Sequence, residues 1–444
     1  MGASSDRSFA AIAVQVAAAL AVLLFACGSS SVHALLSIGH SGRWVALVLL
    51  LAGSACWAWD RRAAASVDPA VVASAVFFVA LSAVSSVWSV DPRLTFERAV
   101  TLGVLALVAL LIAQAVAGRP SAGERVLVGL LAGCVLVAIG GLIVLAVSHH
   151  DAVEIATTDL PPRFRGMGQD PNTASLLFGM AVPAATWLVG SAQTVARRVA
   201  FGAALALLVG SIVASGSHGA VLAGAVGAGV VVILLPARTR SRFALALAVA
   251  AAAGVGLWIE TLPQPSATNP VVASTVPVPP PKPGYVDAQV NTPLDGELGI
   301  PLPGQSLRRN LATSSGRTQA WKGAIHQAEQ RPVAGYGFGT EANVFIDRWS
   351  TFSGGLPENS YIGIALQLGV AGLVAFAILL AALGRASVAQ LGRRAPLVIA
   401  GLGVLAAGLV AAVFQSYIYS VGNVATLTVW VGAFLLASRE TMHD

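Results

Sequence analysis

Apolar runs long enough to cross a bilayer recur along almost the whole chain, separated by short polar connectors. A spanning helix needs about 20 mostly apolar residues. Twelve stretches qualify: roughly 9–27, 43–59, 70–88, 98–117, 125–147, 172–190, 199–215, 218–235, 243–260, 358–382, 396–415 and 418–437. The runs are continuous and do not alternate, so they read as helices and not as strands of a membrane barrel. The pattern predicts an all-α polytopic membrane protein of about twelve spans.

Composition narrows the class further. Of 444 residues, 56% are hydrophobic and only 10% charged, with a mean hydropathy of +0.78. Soluble proteins carry about a quarter of their residues as Asp, Glu, Lys or Arg, so a water-soluble enzyme is excluded. Repetition of the runs excludes a single amphipathic anchor. The opening segment, MGASSDRSF, has one arginine and no small-residue cleavage site after its apolar run, and reads as a retained helix. Cys27, Cys56 and Cys134 lie in or beside apolar runs without paired spacing, and read as small core residues.

The net charge of +6 is informative only once its arginines are placed by side. With the N-terminus inside, short inner connectors collect Arg7, Arg61, Arg62, Arg119, Arg125, Arg197, Arg198, Arg238, Arg240, Arg242, Arg385, Arg393, Arg394 and Arg439, which is 14 of 26 basic residues. Seven of the others fall in one long outer loop; the remaining five are Arg43, Arg93, Arg98, Arg163 and Arg165. Trp44, Trp57, Trp59, Trp88 and Trp258 lie near span ends, as interfacial anchors. Both termini are then cytoplasmic.

Three regions follow: 1–260 with spans one to nine and an outer loop at 148–171; 261–357 as a large extracytoplasmic loop; 358–444 with spans ten to twelve and a short tail. The large loop begins with a proline-rich arm, PSATNPVVASTVPVPPPKPG, which favours extended polyproline. Further on, SSGRTQAWKGAIHQAEQRP (314–332) predicts a helix stopped by Pro332, with Arg317, Trp321 and Ile325 on one face and His326 on the other. Such a helix fits the membrane surface with Trp321 dipping inward.

No span carries a central ionisable residue, which disfavours proton- or ion-coupled transport. Charged groups gather instead at outer span ends. RFRGMGQDPN (163–172) sets two arginines before span six, GRTQAW brings Arg317, and PENSY sets Glu358 and Asn359 at the start of span ten. Arginine's planar fork suits phosphate and diphosphate oxygens, and a nearby carboxylate can take a proton from an attacking hydroxyl. Each group also has a plainer role. Arg163 and Arg165 suit lipid headgroups, Glu358 suits a helix dipole, and Arg317 suits a loop carboxylate such as Glu329 or Glu341. His149–His150–Asp151 lacks a third spaced ligand for a metal. GYGFGT (335–340) lacks a strand–helix unit and reads as a turn allowing tight backbone passage.

Taken in order, these segments resemble the O-antigen ligase and polymerase family of bacterial envelope glycosyltransferases, over about residues 85–373. SSVWSVDPRLTFER (85–98) is similar to the family's "WS-x-D-P" segment. RFRGMGQDPNTAS is similar to "R-x-x-G-x-x-x-x-P-N", and ASGSHGA (214–220) to the small-residue "SRG" turn. SGRTQAW and PVAGYGFGT follow in the large loop. PENSYIGIALQLGVAGL (357–373) resembles the "HN-x-Y" opening of the next span. The resemblance implies a GT-C-like transferase on the outer face of the bacterial cytoplasmic membrane. Such an enzyme moves a glycan from a polyprenyl diphosphate carrier to a hydroxyl on a lipid, glycan or protein. It would use no nucleotide sugar, cofactor or metal and no nucleic acid, and its partners are the lipid-linked donor, the acceptor and membrane lipids. By motif position, Arg163 or Arg165 and Arg317 hold the diphosphate, with Arg165 preferred; Asn172, Trp321, Asn359 and Tyr361 support the site.

Two positions depart from the family pattern. Glu358 stands where the family has histidine, and His218 where it often has arginine. Glu358 can serve as base or orient the acceptor, although flanking arginines and the helix start weaken it as a base; His218 is the alternative base. Ligation and polymerisation would share these residues. The rival functions are a lipid-linked glycan flippase or exporter, and a structural subunit of an envelope assembly complex that docks through the proline-rich arm.

Overall fold

The computed structural model describes residues 3–59, 66–154, 162–235, 317–345, 356–392 and 396–439. It is an all-α bundle. Among the described residues, eight helices are long and apolar enough to cross a membrane, and three shorter apolar helices accompany them. The long ones are α1 (Ala3–Cys27), α2 (His33–Trp59), α3 (Pro69–Val84), α4 (Pro92–Val116), α5 (Pro120–Val147), α7 (Pro171–Ser191), α8 (Val195–Ala214) and α12 (Ser360–Gly392). The shorter ones are α9 (His218–Leu234), α13 (Pro396–Ala411) and α14 (Val424–Phe434). Short helices α6 (His149–Ala152), α10 (Arg317–Glu329) and α11 (Glu341–Val344) belong to the loops. The expected span at 243–260 and the proline-rich arm lie outside the described residues.

Proline and a capping acid start several helices. Asp68, Asp91 and Asp170 each precede a proline and accept backbone amides of the first turn, ending the chain's extended entry and fixing the helix start. Packing then sorts the helices. α1 lies on α2 and α5, α7 lies against α8 and α9, α13 packs on α9, and α12 on α3. α7 is the innermost span, 89% buried along its apolar window. The outward faces stay apolar: Val45, Val48, Ile139, Ile143, Leu222, Ile233 and Ile378 are all exposed. An apolar exterior around a well-packed interior is what a lipid solvent demands.

Several boundaries differ from the sequence reading. α2 begins at His33, ten residues before the expected start, because Gly39 lets it seat against Gly28 at the end of α1, where a Cβ would lie 2.0 Å from the Gly28 amide nitrogen. Arg43 and Trp44 therefore sit within a helix and not at its end. The last span begins at Val424; residues 412–423 are a loop whose polar groups bond across the bundle. Trp57 is buried in the core and Cys56 is exposed on the bundle exterior, the reverse of their expected anchor and core roles.

The two ends of the bundle differ. At one end Asp68 is clamped by Arg385 and Arg439, strand β1 (Ser66–Val67) pairs with β4 (Ser438–Arg439), and Glu124 bonds Arg197. At the other end β2 (Val153–Glu154) pairs with β3 (Arg163–Phe164), and there the functional segments meet.

α12 is broken at Gly369, whose φ of 62° leaves the helical region. The break frees backbone groups, and the segment after α10 satisfies them. Tyr336 and Gly337 amides donate to the Leu366 and Gln367 carbonyls at 3.0 and 2.8 Å, while the Val370 and Ala371 amides donate to Pro332 and Val333 at 2.8 and 3.2 Å. Gly335, Gly337 and Gly339 all have positive φ, and a Cβ at Gly337 would lie 2.2 Å from Ser89 Oγ. The tight passage read from GYGFGT is therefore a graft into a broken span.

Candidate functional site

The motif segments meet in two clusters at this end. In the first, the loop 332–340 packs on the segment 85–98: Trp88 Nε1 donates to Ala334 O at 2.9 Å, Val90 N to Tyr336 O at 3.0 Å, and Phe338 N to Ser85 Oγ at 3.0 Å. In the second, Arg163 ties three elements together. Its side chain is buried, with Nε on Ser215 O at 2.8 Å, a terminal nitrogen on Asn172 Oδ1 at 2.7 Å, and the other 3.6 Å from Glu154. Arg163 thus joins the 148–171 loop to the α8–α9 turn and the α7 start.

Between the clusters lies an open cavity of about 700 Å³. Its wall includes Arg43 from α2, Glu97 and Arg98 from α4, Asp170 from the α7 cap, Glu358 before α12, and Ser416 from the 412–423 loop. Glu97 bonds Arg93 at 2.9 Å and Asp170 caps α7, so both acids have work elsewhere. Neither Arg43 nor Arg98 makes an ion pair among the described residues. Arg43 Nε is buried without a hydrogen-bond partner, and its guanidinium carbon stands 5.1 Å from the Trp44 ring. A buried, unmatched guanidinium nitrogen is costly unless an anion completes it.

Glu358 has φ 48°, the one positive value among the described residues that are not glycine. The left-handed region costs such a residue about 1–2 kcal/mol, and strain of this kind concentrates where a side chain must be aimed. Its neighbours hold it. Trp321 Nε1 donates to Pro357 O at 2.8 Å, so the loop helix is pinned to the chain just before Glu358 and Trp321 is half-buried against protein. Asn359 caps α12 through Oδ1 to the Tyr361 and Ile362 amides at 3.0 and 3.1 Å, and Tyr361 Oη reaches Leu409 O at 2.8 Å.

The sequence-derived site residues therefore divide. Glu358 lines the cavity, with Asn359, Tyr361 and Trp321 fixing its surroundings. Arg165 is not among the residues lining the cavity; it is bonded to Gln169 O at 3.0 Å and Ser31 Oγ at 3.3 Å. Arg163 and Asn172 bond each other. His218 is exposed on the α8–α9 turn and does not line the cavity. Arg317 opens α10; its side chain lies outside the described residues. Arg43 and Arg98 were missed as site residues, although both stood apart from the inner connectors in the charge bookkeeping.

Behind the cavity wall, Glu341 is fully buried. Ser416 Oγ donates to its Oε1 at 2.7 Å; Tyr419 Oη and, at 3.2 Å, Gln367 Nε2 donate to Oε2. Burial pushes its carboxyl up to about 7, against the pull of the Tyr419 and Ser416 hydrogen bonds. Among the described residues no group of three His, Cys, Asp or Glu could hold a metal ion.

A family model described as O-antigen ligase matches residues 203–377. Over that stretch the chain is similar to the O-antigen ligase family. The matched residues run from α8 into α12 and include Glu341, Glu358 and the grafted loop; Arg43, Arg98, Arg163, Arg165 and Ser416 come from flanking chain. No curated protein matches the chain.

Proposed function

We propose that this chain is an inverting glycosyltransferase of the O-antigen ligase family. It moves a glycan from a polyprenyl diphosphate carrier to a hydroxyl acceptor on the outer face of the bacterial cytoplasmic membrane. The observation that supports this most is a cavity lined by Arg43 and Arg98, neither in an ion pair among the described residues, together with Glu358. A diphosphate supplies the counter-charge for the two guanidiniums, with its polyprenyl chain in the bilayer and its glycan in the cavity. As the sugar–oxygen bond breaks, charge grows on the diphosphate, and guanidiniums already in place stabilise it without reorganising. Arg165, and Arg317 from the loop helix, are retained as donor contacts. Glu358, aimed by its strained backbone, orients the acceptor beside its reacting hydroxyl. Asn359, Tyr361 and Trp321 hold that aim, while Arg163 and Asn172 brace the loop behind Arg165. The cavity end then faces outward, and the end holding Asp68, Arg385 and Arg439 faces the cytoplasm.

The test is a strain lacking the protein. A transferase leaves its lipid-linked glycan on the outer leaflet, whereas a flippase or exporter leaves it on the inner leaflet. Arg43→Gln should reduce transfer about 10²- to 10³-fold, the usual cost of one donor to a developing anion, at normal membrane level. Wild-type transfer by Arg43→Gln, or glycan trapped inside in the deletion strain, would overturn the proposal.

A further inference from the structure

The proposed transfer needs a group to accept the proton of the attacking hydroxyl, and Glu358 is poorly suited, since it shares its cavity with two arginines. The buried Glu341 lies one hydroxyl away. Ser416 lines the cavity and donates its proton to Glu341 Oε1 at 2.7 Å. A serine oxygen accepts two hydrogen bonds; the Asn359 amide takes one at 3.2 Å, leaving one lone pair for a hydroxyl in the cavity.

We infer that Ser416 and Glu341 form a proton relay, in which Ser416 Oγ touches the acceptor hydroxyl and Glu341 positions Ser416 and takes its proton. The inference rests on the proposed transferase reading. In one turnover the acceptor oxygen bonds the anomeric carbon while the carbon–oxygen bond to the diphosphate breaks and leaves its electron pair on the diphosphate. The acceptor proton moves to Ser416 Oγ as the Ser416 proton moves to Glu341. Afterwards the proton returns by the same path to water in the cavity.

The geometry favours Glu341 in three ways. Its three donors, from Ser416, Tyr419 and Gln367, all address the ionised carboxylate, so it is held ready to accept. No cation among the described residues pairs with it, so its basicity is not spent on a salt bridge. Burial keeps bulk water away, and a base titrating near neutrality is close to the optimum for proton transfer at physiological pH. Tyr419 is the titratable group directly on Glu341. From α4, Arg98 lies along Gly339, two residues before it, and across Ser416 the cavity holds Arg43, Glu97, Asp170 and Glu358.

The experiment uses the full-length protein in liposomes, supplied with the lipid-linked glycan that accumulates in the deletion strain. Wild-type transfer should rise through an acid limb near pH 7. Glu341→Gln should lose transfer by about 10²-fold or more and lose the limb, with Glu341→Asp restoring part of both. Tyr419→Phe removes a hydrogen bond to the carboxylate and should move the limb to higher pH, a displacement that a merely structural contact would not produce. Ser416→Ala should cut transfer while leaving donor binding intact. A folded Glu341→Gln variant with near-wild-type transfer, or a limb unmoved in Tyr419→Phe, overturns the relay. Absence of transfer by wild-type protein overturns instead the transferase reading beneath it.

Discussion

Arg163 stood in the sequence as a candidate ligand for the donor's diphosphate, and its surroundings predict something different: Arg163→Ala should unfold the site before it disarms it. Arg163 is 4% exposed, and its guanidinium engages Ser215 O, Asn172 Oδ1 and Glu154 at 2.8, 2.7 and 3.6 Å. A hydrogen bond from a charged group contributes about 1.5–3 kcal/mol. The Glu154 pair is loose at 3.6 Å; its side chain is 42% exposed although Oε2 itself is buried, so its share is discounted. Two such hydrogen bonds and a discounted pair give about 3–6 kcal/mol lost in Arg163→Ala. Lysine cannot serve three acceptors in a plane, so Arg163→Lys should recover less than half of the loss. Thermal unfolding of detergent-purified protein, followed by intrinsic fluorescence beside membrane abundance, reads this directly. An Arg163→Ala protein that melts like wild type yet transfers nothing would refute the bracing role and return Arg163 to the donor.

Four further outcomes are expected. Glu358→Gln should lower transfer much more than membrane level. Glu358→Gly should melt higher by relief of about 1 kcal/mol of left-handed strain while losing activity, and full activity in either variant would return Glu358 to a helix-end role. Gly369→Ala would put a Cβ 2.4 Å from the Val333 backbone at φ 62°, so it should destabilise the protein by more than about 2 kcal/mol and expose the 332–339 segment to protease. Asp68→Asn should cost about 1–2 kcal/mol, because the Arg385 and Arg439 side chains are 57% and 40% exposed and partly screened. Burial raises the Asp68 carboxyl, but Arg439, the Ala70 amide and the Arg385 charge together hold it below the usual range, so its contribution is full at neutral pH and fades only below about pH 4. For Glu341 the sign reverses: its raised carboxyl makes the wild-type protein lose stability as pH climbs from about 4.5 toward 7. The melting temperature of Glu341→Gln relative to wild type should therefore grow between pH 5 and pH 8.

The helical membrane class was legible because lipid tolerates so few backbone solutions, and the apolar runs announced them. Helix ends were less legible where packing overrode polarity, as when Gly28 and Gly39 drew α2 back to His33. The motif segments meet at one end of the bundle, where Glu358 lines the cavity. Motif order could not say which arginines would face that space. Arg163 and Arg165 share one short loop, yet one turns inward to brace three elements and the other bonds Gln169 and Ser31, a choice set by the β2–β3 pairing and the Ser215 carbonyl. Arg43 and Arg98 sit inside apolar helices and gain meaning only when α2 and α4 stand side by side. Glu341 is a loop carboxylate in the sequence; its burial depends on Tyr419 and Ser416, which arrive some 75 residues later.

The break at Gly369 bears on how such a chain can evolve and be assembled. A ruptured helix leaves amides and carbonyls that hydrocarbon cannot solvate, so α12 depends on the strand of chain at 332–339 as firmly as on any neighbouring span. That segment cannot be trimmed or exchanged between relatives without rebuilding the helix beneath it. Because it precedes α12 in the chain, it leaves the ribosome first, ready to seal the gap as the helix arrives. The tether also makes any displacement of the extramembrane segment a displacement of the helix that carries Glu358 at its mouth.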